Sequence, residues 1–193
     1  MRFGLACEGV TDQAVIQNIL CGYFDAPNLD EDITALQPPF DETSEKQLDG
    51  GGWSILFKYL ASSRFRDDVL NTGCVIVQID SDIAEQIPIA RYDTNGNELA
   101  TEILIANMTA ELVARIDNSF YAANADKIIF AICVHSLECW LVAYYGAKAI
   151  THDCYDALSQ LVIRDNHRII RLAKKHKNYN QLSQPFLQRQ NVA

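Results

Sequence analysis

The chain has 193 residues, of which 49% are hydrophobic and 21% are charged, and its net charge is −9. This length suits one domain with a sizeable core, and the balance excludes an intrinsically disordered chain. A chain with this negative charge repels polyanions, which excludes tight non-specific binding to them. No apolar run has the length of a membrane span and the N-terminus lacks an export signal, so we expect a cytoplasmic protein without membrane contact.

Apolar runs alternate with amphipathic stretches along the chain, which predicts βαβ units around a parallel sheet. The runs typical of strands are 2–7, 33–36, 73–79 and 127–134. The helical patterns cover 12–23, 53–62, 98–118, 135–145, 155–163 and 166–177. Residues 25–52 are predicted to be mostly an excursion loop, and the polar tail after Asn178 is predicted to fray.

These elements indicate an α/β protein with a parallel-sheet core flanked by helices. Residues 1–150 form the predicted α/β domain. Residues 151–193 form a basic C-terminal helical extension that we expect to pack on the same domain. The six cysteines include no CxxC pair, and several lie in apolar runs, which favours free thiols in a reducing compartment over a disulfide framework or a zinc site.

Acidic residues follow the predicted strands at the points where those strands end. Glu8 follows the first strand, and Asp80 and Asp82 follow the strand at 73–79. His135 follows the last strand, with Glu138 three residues further on. The carboxyl ends of parallel strands meet at one edge of a sheet, where ligands collect, so we expect these side chains to lie together.

Carboxylates in this arrangement are typical of a divalent-metal site. Two acids at i and i+2 of a strand end point the same way and can share a hard cation. Without a cation, two such charges about 4 Å apart repel by roughly 4 kcal/mol at an effective dielectric near 20. Taken singly, Asp80-Ser81-Asp82 is also an ordinary turn, and Glu8 also suits a helix N-terminus. Their joint placement favours the metal site.

Two further features stay open between a functional and a structural interpretation. His135 is either an auxiliary catalytic group or a hydrogen-bonded core histidine. A basic stripe at helical spacing is either a phosphate-backbone contact or a solvated helix face. Its members are Arg164, Arg168, Arg171 and Lys175.

The motif Glu8-Gly9-Val10-Thr11-Asp12 after a first strand, followed later by Asp80-Ser81-Asp82, resembles the Toprim domain of topoisomerases, primases and OLD-type nucleases. The segment His135-Ser136-Leu137-Glu138-Cys139-Trp140-Leu141 is similar to one in small Toprim-like proteins of prokaryotic defence and mobile-element loci, the RloB-type proteins among them. The resemblance spans about residues 2–146 and rests on these three motifs.

The resemblance implies a Toprim-like fold and a Mg²⁺- or Mn²⁺-dependent nuclease that cleaves phosphodiesters of nucleic acid. It makes Glu8 a general acid/base or metal ligand, Asp80 and Asp82 metal ligands, and Asp12 a further metal-binding group. Glu138 and His135 would be auxiliary catalytic residues. A partner ATPase or self-association would complete the assembly.

Two other functions remain open at this stage. One is a non-catalytic Toprim-like regulatory or interaction module that needs a partner protein. The other is a metal-dependent transferase or phosphatase for a small phosphorylated substrate, because Asp-x-Asp pairs also serve that chemistry in a closed pocket. The spacing of the Glu8, Asp80 and Asp82 carboxylates is the observation that bears most directly on all three.

Overall fold

The structure, a computed structural model, describes residues 2–26, 28–41, 43, 46–48, 51–87, 89–146, 148–164 and 172–192. Its centre is a four-stranded parallel sheet in the order β2-β1-β5-β6. These strands are β1 (Phe3–Ala6), β2 (Ile33–Gln37), β5 (Cys74–Asp80) and β6 (Ile128–Cys133). A separate antiparallel pair consists of β3 (Phe40–Asp41) and β4 (Lys46–Gln47). The predicted α/β class and parallel sheet are confirmed.

Eight α-helices flank or extend this sheet in the described part of the chain. They are α1 (Val10–Phe24), α2 (Trp53–Leu60), α3 (Ser63–Asn71), α4 (Thr101–Arg115), α5 (Asn118–Asn124), α6 (Glu138–Tyr145), α7 (Cys154–Arg164) and α8 (His176–Ser183). No helix among the described residues is long and apolar enough to cross a membrane.

The chain reverses its direction across the sheet at β1. From β1 it moves outward to β2, then returns past β1 to β5 and continues to β6. The connections after β1 and β5 therefore leave in opposite directions, which opens a crevice at the carboxyl ends of these two neighbouring strands. The two strands that Glu8 and Asp80 follow are the ones that border this crevice.

The core lies on both faces of the sheet. On one face, Val75, Val77 and Ile79 of β5 pack with side chains of α2 and α4, such as Leu56 and Met108. On the other face, strand residues such as Phe3 and Leu5 pack with α1. A third cluster joins α1, α6, α7 and α8. The central strands are thus covered on both faces, as their near-continuous apolar sequences predict.

The prediction that the strand at 127–134 is buried is wrong for β6. It forms an edge of the sheet, and Ile129 is 50% exposed, whereas Cys74–Ile79 of β5 is buried throughout. An apolar sequence predicts a strand but does not tell whether a neighbour covers its outer edge.

The observed helices differ from the predicted ones in three main respects, and local hydrogen bonds explain two of these differences. The helix α3 was not predicted; Ser62 caps it by accepting from Phe65 N at 3.2 Å. The predicted helix 98–118 is two helices: α4 ends at Arg115, and Asp117 caps α5 by accepting from Phe120 N at 2.8 Å. The predicted helix 135–145 begins only at Glu138, since His135 has a φ of 64°.

The predicted helix 155–163 is confirmed as α7, but two other predictions for the C-terminal region are wrong. Residues 172–175, the described part of the expected helix 166–177 that precedes α8, are not helical. The tail expected to fray instead contains α8 and buries Tyr179, Leu182 and Phe186. The surrounding Asn and Gln residues hide this apolar spacing in the sequence.

Cys139 and Cys154 form a disulfide across α6 and α7, which corrects the expectation that all six cysteines are free thiols. The remaining cysteines are buried as thiols: Cys7, Cys21, Cys74 and Cys133. The packing of α6 against α7 brings two positions fifteen residues apart together, and a spacing rule for CxxC pairs cannot detect such a bridge.

The close contact between α1 and the C-terminal region gives a test of the fold. A Cβ at Gly22 would lie 1.8 Å from the carbonyl oxygen of Phe186. In a free helix, glycine to alanine stabilises by about 1 kcal/mol. We expect Gly22→Ala to lower the free energy of unfolding by about 1–3 kcal/mol, because the C-terminal segment must move. Urea denaturation measures this.

Tyr23→Ala is the control, since Tyr23 is 56% exposed in the same helix and its loss should change stability by only about 0.5 kcal/mol. A stabilising Gly22→Ala would contradict the described packing of Phe186 on α1.

Candidate metal centre

Four acidic side chains line one cavity of about 340 Å³ at the carboxyl ends of β1 and β5. Glu8 follows β1, Asp12 lies in the first turn of α1, Asp80 ends β5, and Glu138 begins α6. Asp82 lines an adjoining cavity of about 310 Å³, which also includes Glu138. The structure therefore brings five of the predicted site residues to one place, which we call the carboxylate cluster.

Hydrogen bonds from backbone amides and from Gln78 hold two of these carboxylates in position. Asp80 Oδ1 accepts hydrogen bonds from the amide of Leu137 at 3.1 Å and from Gln78 Nε2 at 2.9 Å. Asp12 Oδ2 accepts from the amide of Gly9 at 2.7 Å, as expected for an acid in the first turn of a helix. Each acid is fixed by the strand end or helix start on which it lies.

Gln78 joins the two strand ends from inside the sheet, and we did not predict this role. Its side chain is fully buried in β5, donates to Asp80 and accepts from the amide of Glu8 at 3.4 Å. The sequence signal was a single polar residue within the apolar run of β5. Buried polar side chains need partners, so such a residue marks a hydrogen-bonded junction.

Glu138 is held by two side chains from the C-terminal region. The buried hydroxyl of Tyr179 donates to Glu138 Oε1, and Lys174 Nζ lies 3.5 Å from the same oxygen. Lys174 also lines both cavities, although its side chain is 64% exposed. Neither residue was predicted, because nothing local to residues 172–183 indicates a partner forty residues earlier.

Of the predicted basic stripe, Lys175 is the member whose side chain lies among the described residues. Lys175 is exposed and precedes α8, while its neighbour Lys174 is the lysine that reaches the carboxylate cluster. The side chain of Arg164, and all of Arg168 and Arg171, lie outside the described residues. Their predicted contact with nucleic acid stays a prediction.

Burial and mutual repulsion raise the pKa of most of the cluster. Burial, with the charges of Glu8 and Glu138, raises the pKa of Asp12 to about 7. Burial, with the charges of Asp12 and Glu8, holds the pKa of Asp80 well above its usual range. The pKa values of Glu8 and Asp82 are raised as well, in each case mainly by partial burial. Each of these groups therefore holds a proton more tightly than an exposed carboxylate does.

Glu138 behaves in the opposite way. Burial acts to raise its pKa, but the hydrogen bond from Tyr179 and the charge of Lys174 outweigh burial and lower it. Burial acts to lower the pKa of Lys174, yet Glu138 and Asp80 raise it, so this lysine stays charged. Glu138 is thus the acid of the cluster that most readily stays ionised, and it is paired with Lys174.

The residues present fit a hard divalent cation. Glu8 Oε2 is buried without a hydrogen-bond partner, which leaves an oxygen available for a metal. An all-oxygen donor set suits Mg²⁺ or Mn²⁺. Three ligands that bind one ion directly have donor atoms close together. Among the described residues, the three donors within 4.8 Å of one another are those of Glu98, His135 and His152, so the acids of the carboxylate cluster are spaced more widely than three direct ligands. Mg²⁺ keeps several waters and needs only one or two carboxylates, so the looser spacing still suits it.

His135 lies beside the carboxylate cluster, and its ring belongs to a different network. Its backbone links the strand ends: the carbonyl accepts from Asp82 N at 3.0 Å, and the amide donates to Ser81 Oγ at 2.7 Å. Its ring contacts Arg91 at 2.7 Å and Glu98 at 3.4 Å. These contacts match the interpretation of His135 as a hydrogen-bonded core histidine.

The set of Glu98, His135 and His152 is compact enough for a metal, but Arg91 already supplies a cation there. Arg91 Nη2 donates to His135 Nδ1, and Arg91 Nε lies 3.1 Å from Glu98 Oε1. Burial first, and then the charge of Arg91, lowers the pKa of His135. A metal ion in this set would meet the guanidinium charge, so we assign the set to an ion-paired hydrogen-bond network.

Comparison with protein-family models, curated proteins and solved structures gives no match for this chain. The Toprim resemblance accordingly stays a prediction.

The raised pKa values predict an unusual dependence of stability on pH. Between the unfolded and folded pKa of Asp12, the folded protein holds a proton that the unfolded chain has lost. Each pKa unit is worth about 1.4 kcal/mol, so stability without metal should fall by on the order of 2 kcal/mol from about pH 5 to pH 8. The lowered pKa of His135 acts in the opposite direction below its usual value of 6.5, and the lowered pKa of Glu138 acts only below this window. Thermal unfolding in EDTA measures the slope.

Asp80→Asn keeps the Oδ1 acceptor and removes one repelling charge. We expect it to stabilise the metal-free protein at about pH 8 by on the order of 1 kcal/mol and to flatten the pH slope. Glu31→Gln, which removes an exposed charge ahead of β2, is the matched control with little effect. Loss of stability in Asp80→Asn would show that this carboxylate has a structural role.

Proposed function

We propose that this protein is a Mg²⁺- or Mn²⁺-dependent phosphodiesterase that acts on nucleic acid. The observation that carries the proposal is the convergence of five carboxylates on the crevice between β1 and β5, with a buried Glu8 oxygen left without a partner. Structural acids would instead be paired or exposed, because repulsion among buried like charges lowers stability.

Each part of the cluster has a chemical role in this proposal. Glu8, Asp80 and Asp82 would hold the metal, one or two of them directly and the rest through its bound waters, with Asp12 behind them. A divalent cation there supplies activation of water and stabilisation of the leaving oxygen.

The walls of the cavity suit a phosphate group. The N-terminal ends of α1 and α2 border it, at Val10 and at Gly52. Helix N-termini favour anions, because their first amides have no partner within the helix. Lys174 Nζ lies at the same cavity and is exposed enough to contact a phosphate oxygen while Glu138 holds it.

An extended substrate suits the two cavities better than a compact one. Both cavities share Glu138 and Lys174, and the second also contains Arg91 and His152. A nucleic-acid backbone bound at the carboxylate cluster can therefore continue past Arg91, a further cation. Because the first cavity alone has the volume of a small ligand site, a small phosphorylated substrate is the second candidate.

The test is cleavage of labelled single-stranded and double-stranded DNA and of RNA, with p-nitrophenyl phosphate as a small monoester. We expect cleavage of a polynucleotide with Mn²⁺ or Mg²⁺ and none after EDTA. Glu8→Gln and Asp80→Asn should each lower the rate at least about 100-fold, since each removes an oxygen proposed to hold the metal. Glu31→Gln should retain full activity, because Glu31 lies in the turn before β2.

Lys174→Gln tests the proposed phosphate contact separately from the metal. We expect it to lower the rate by about 100-fold while Mn²⁺-induced stabilisation remains, because the lysine does not hold the metal. Isothermal titration with Mn²⁺ and gel-based cleavage assays give the two readouts. Cleavage of the monoester alone would favour the small-substrate enzyme, metal binding without any cleavage would favour a regulatory module, and absence of metal binding would contradict both enzymatic functions.

A further inference from the structure

The two edges of the sheet differ in how they are protected. At one edge, β2 follows an acidic turn, Asp30-Glu31-Asp32, and ends next to Pro38. Its pairing with β1 also shifts register at Ala6. Charges, proline and irregular pairing are the devices that keep edge strands from pairing with another chain.

The other edge, β6, has none of these devices within the strand. Its sequence, IIFAIC, contains no charge, proline or glycine. Ile129 is exposed, and Phe130, Ala131 and Ile132 are only half-buried. No strand in the described part of the chain pairs with its outer side, so alternate backbone amides and carbonyls point outward there.

We propose that β6 pairs with β6 of a second copy of this chain, in antiparallel orientation, to join two sheets into one continuous sheet. An apolar, unprotected edge strand is otherwise a site of aggregation, and closure by an identical strand removes it. The partner is identified by the backbone pattern, since only an extended strand satisfies a row of outward amides and carbonyls.

The sequence of β6 is suited to pairing with itself. A two-fold axis perpendicular to the sheet sets each face of β6 against the same face of its copy. Ile128, Phe130 and Ile132 then oppose only one another, and such β-branched and aromatic cross-strand pairs stabilise sheets. The segment 126–134 has no net charge, so two copies of this acidic protein can approach there with the least repulsion.

Side chains next to the strand would enlarge the seam on both faces. Tyr121 stacks on Phe130 on one face, and Trp140 and Ala131 both pack against the apolar cluster on the other. Both aromatic residues are partly buried and would be covered further by a second copy. Partly buried aromatics are the residues that interfaces favour. In this dimer the carboxylate clusters point in opposite directions, so each acts on its own substrate.

The experiment is sedimentation velocity of the full chain over a wide concentration range, with two variants that add the same charge. Ile129→Lys places a charge at the proposed interface, and the folded monomer should tolerate it because Ile129 is half-exposed. Leu70→Lys does the same on α3, where Leu70 is 57% exposed. We expect the wild type and Leu70→Lys to be dimers and Ile129→Lys to be a monomer with an unchanged circular dichroism spectrum.

A second measurement avoids substitution altogether. Amide hydrogen exchange of the wild type should show that protection within Ile128–Cys133 increases with protein concentration, while protection within Cys74–Asp80 does not. A wild type that stays monomeric, or a dimer that survives Ile129→Lys with no change in β6 protection, would overturn the proposal. Neither result depends on whether the chain cleaves nucleic acid.

Discussion

Repulsion among the carboxylates at the end of the sheet is the constraint on which the rest of the site depends. Glu8, Asp12, Asp80 and Asp82 raise one another's pKa values or have them raised by burial. Their surroundings offset only part of this repulsion, through backbone amides, Gln78 and Lys174. The repulsion that is left lowers the stability of the folded protein, and binding of a proton or a divalent cation removes it. Stability is therefore linked to ligand binding.

The topology of the sheet explains why the acids meet. Because connections leave β1 and β5 in opposite directions, a crevice opens at the carboxyl ends of these two strands. The loop before α2 closes over Glu8: Gly52 N donates to Glu8 O at 2.7 Å, and a Cβ at Gly51 would lie 3.0 Å from that oxygen. Glycine at position 51 therefore permits the close approach that places the start of α2 at the cavity.

What could be predicted from the sequence is what depends on local patterns. Apolar runs predict the strands, and the helices between the strands predict that the strands run parallel. The geometry of parallel sheets then predicts that the acids at the strand ends lie together. Lys174 and Tyr179 could not be predicted, because their role comes from packing of α8 against α1 and α6. The Cys139–Cys154 bridge and the exposure of β6 have the same origin: both depend on which elements become neighbours, and residue spacing does not encode that.

The strand β6 connects the proposed interface with the proposed site. Directly after it, His135 uses its amide and carbonyl to hold Ser81 and the amide of Asp82, and Leu137 N holds Asp80. A strand paired on one side only is freer to move than one paired on both. In the proposed dimer, pairing of β6 with its copy would restrict the segment that positions these two aspartates. Dimer formation would then lower the entropy lost when the carboxylates bind a metal, so the two equilibria should be coupled without direct contact between the sites.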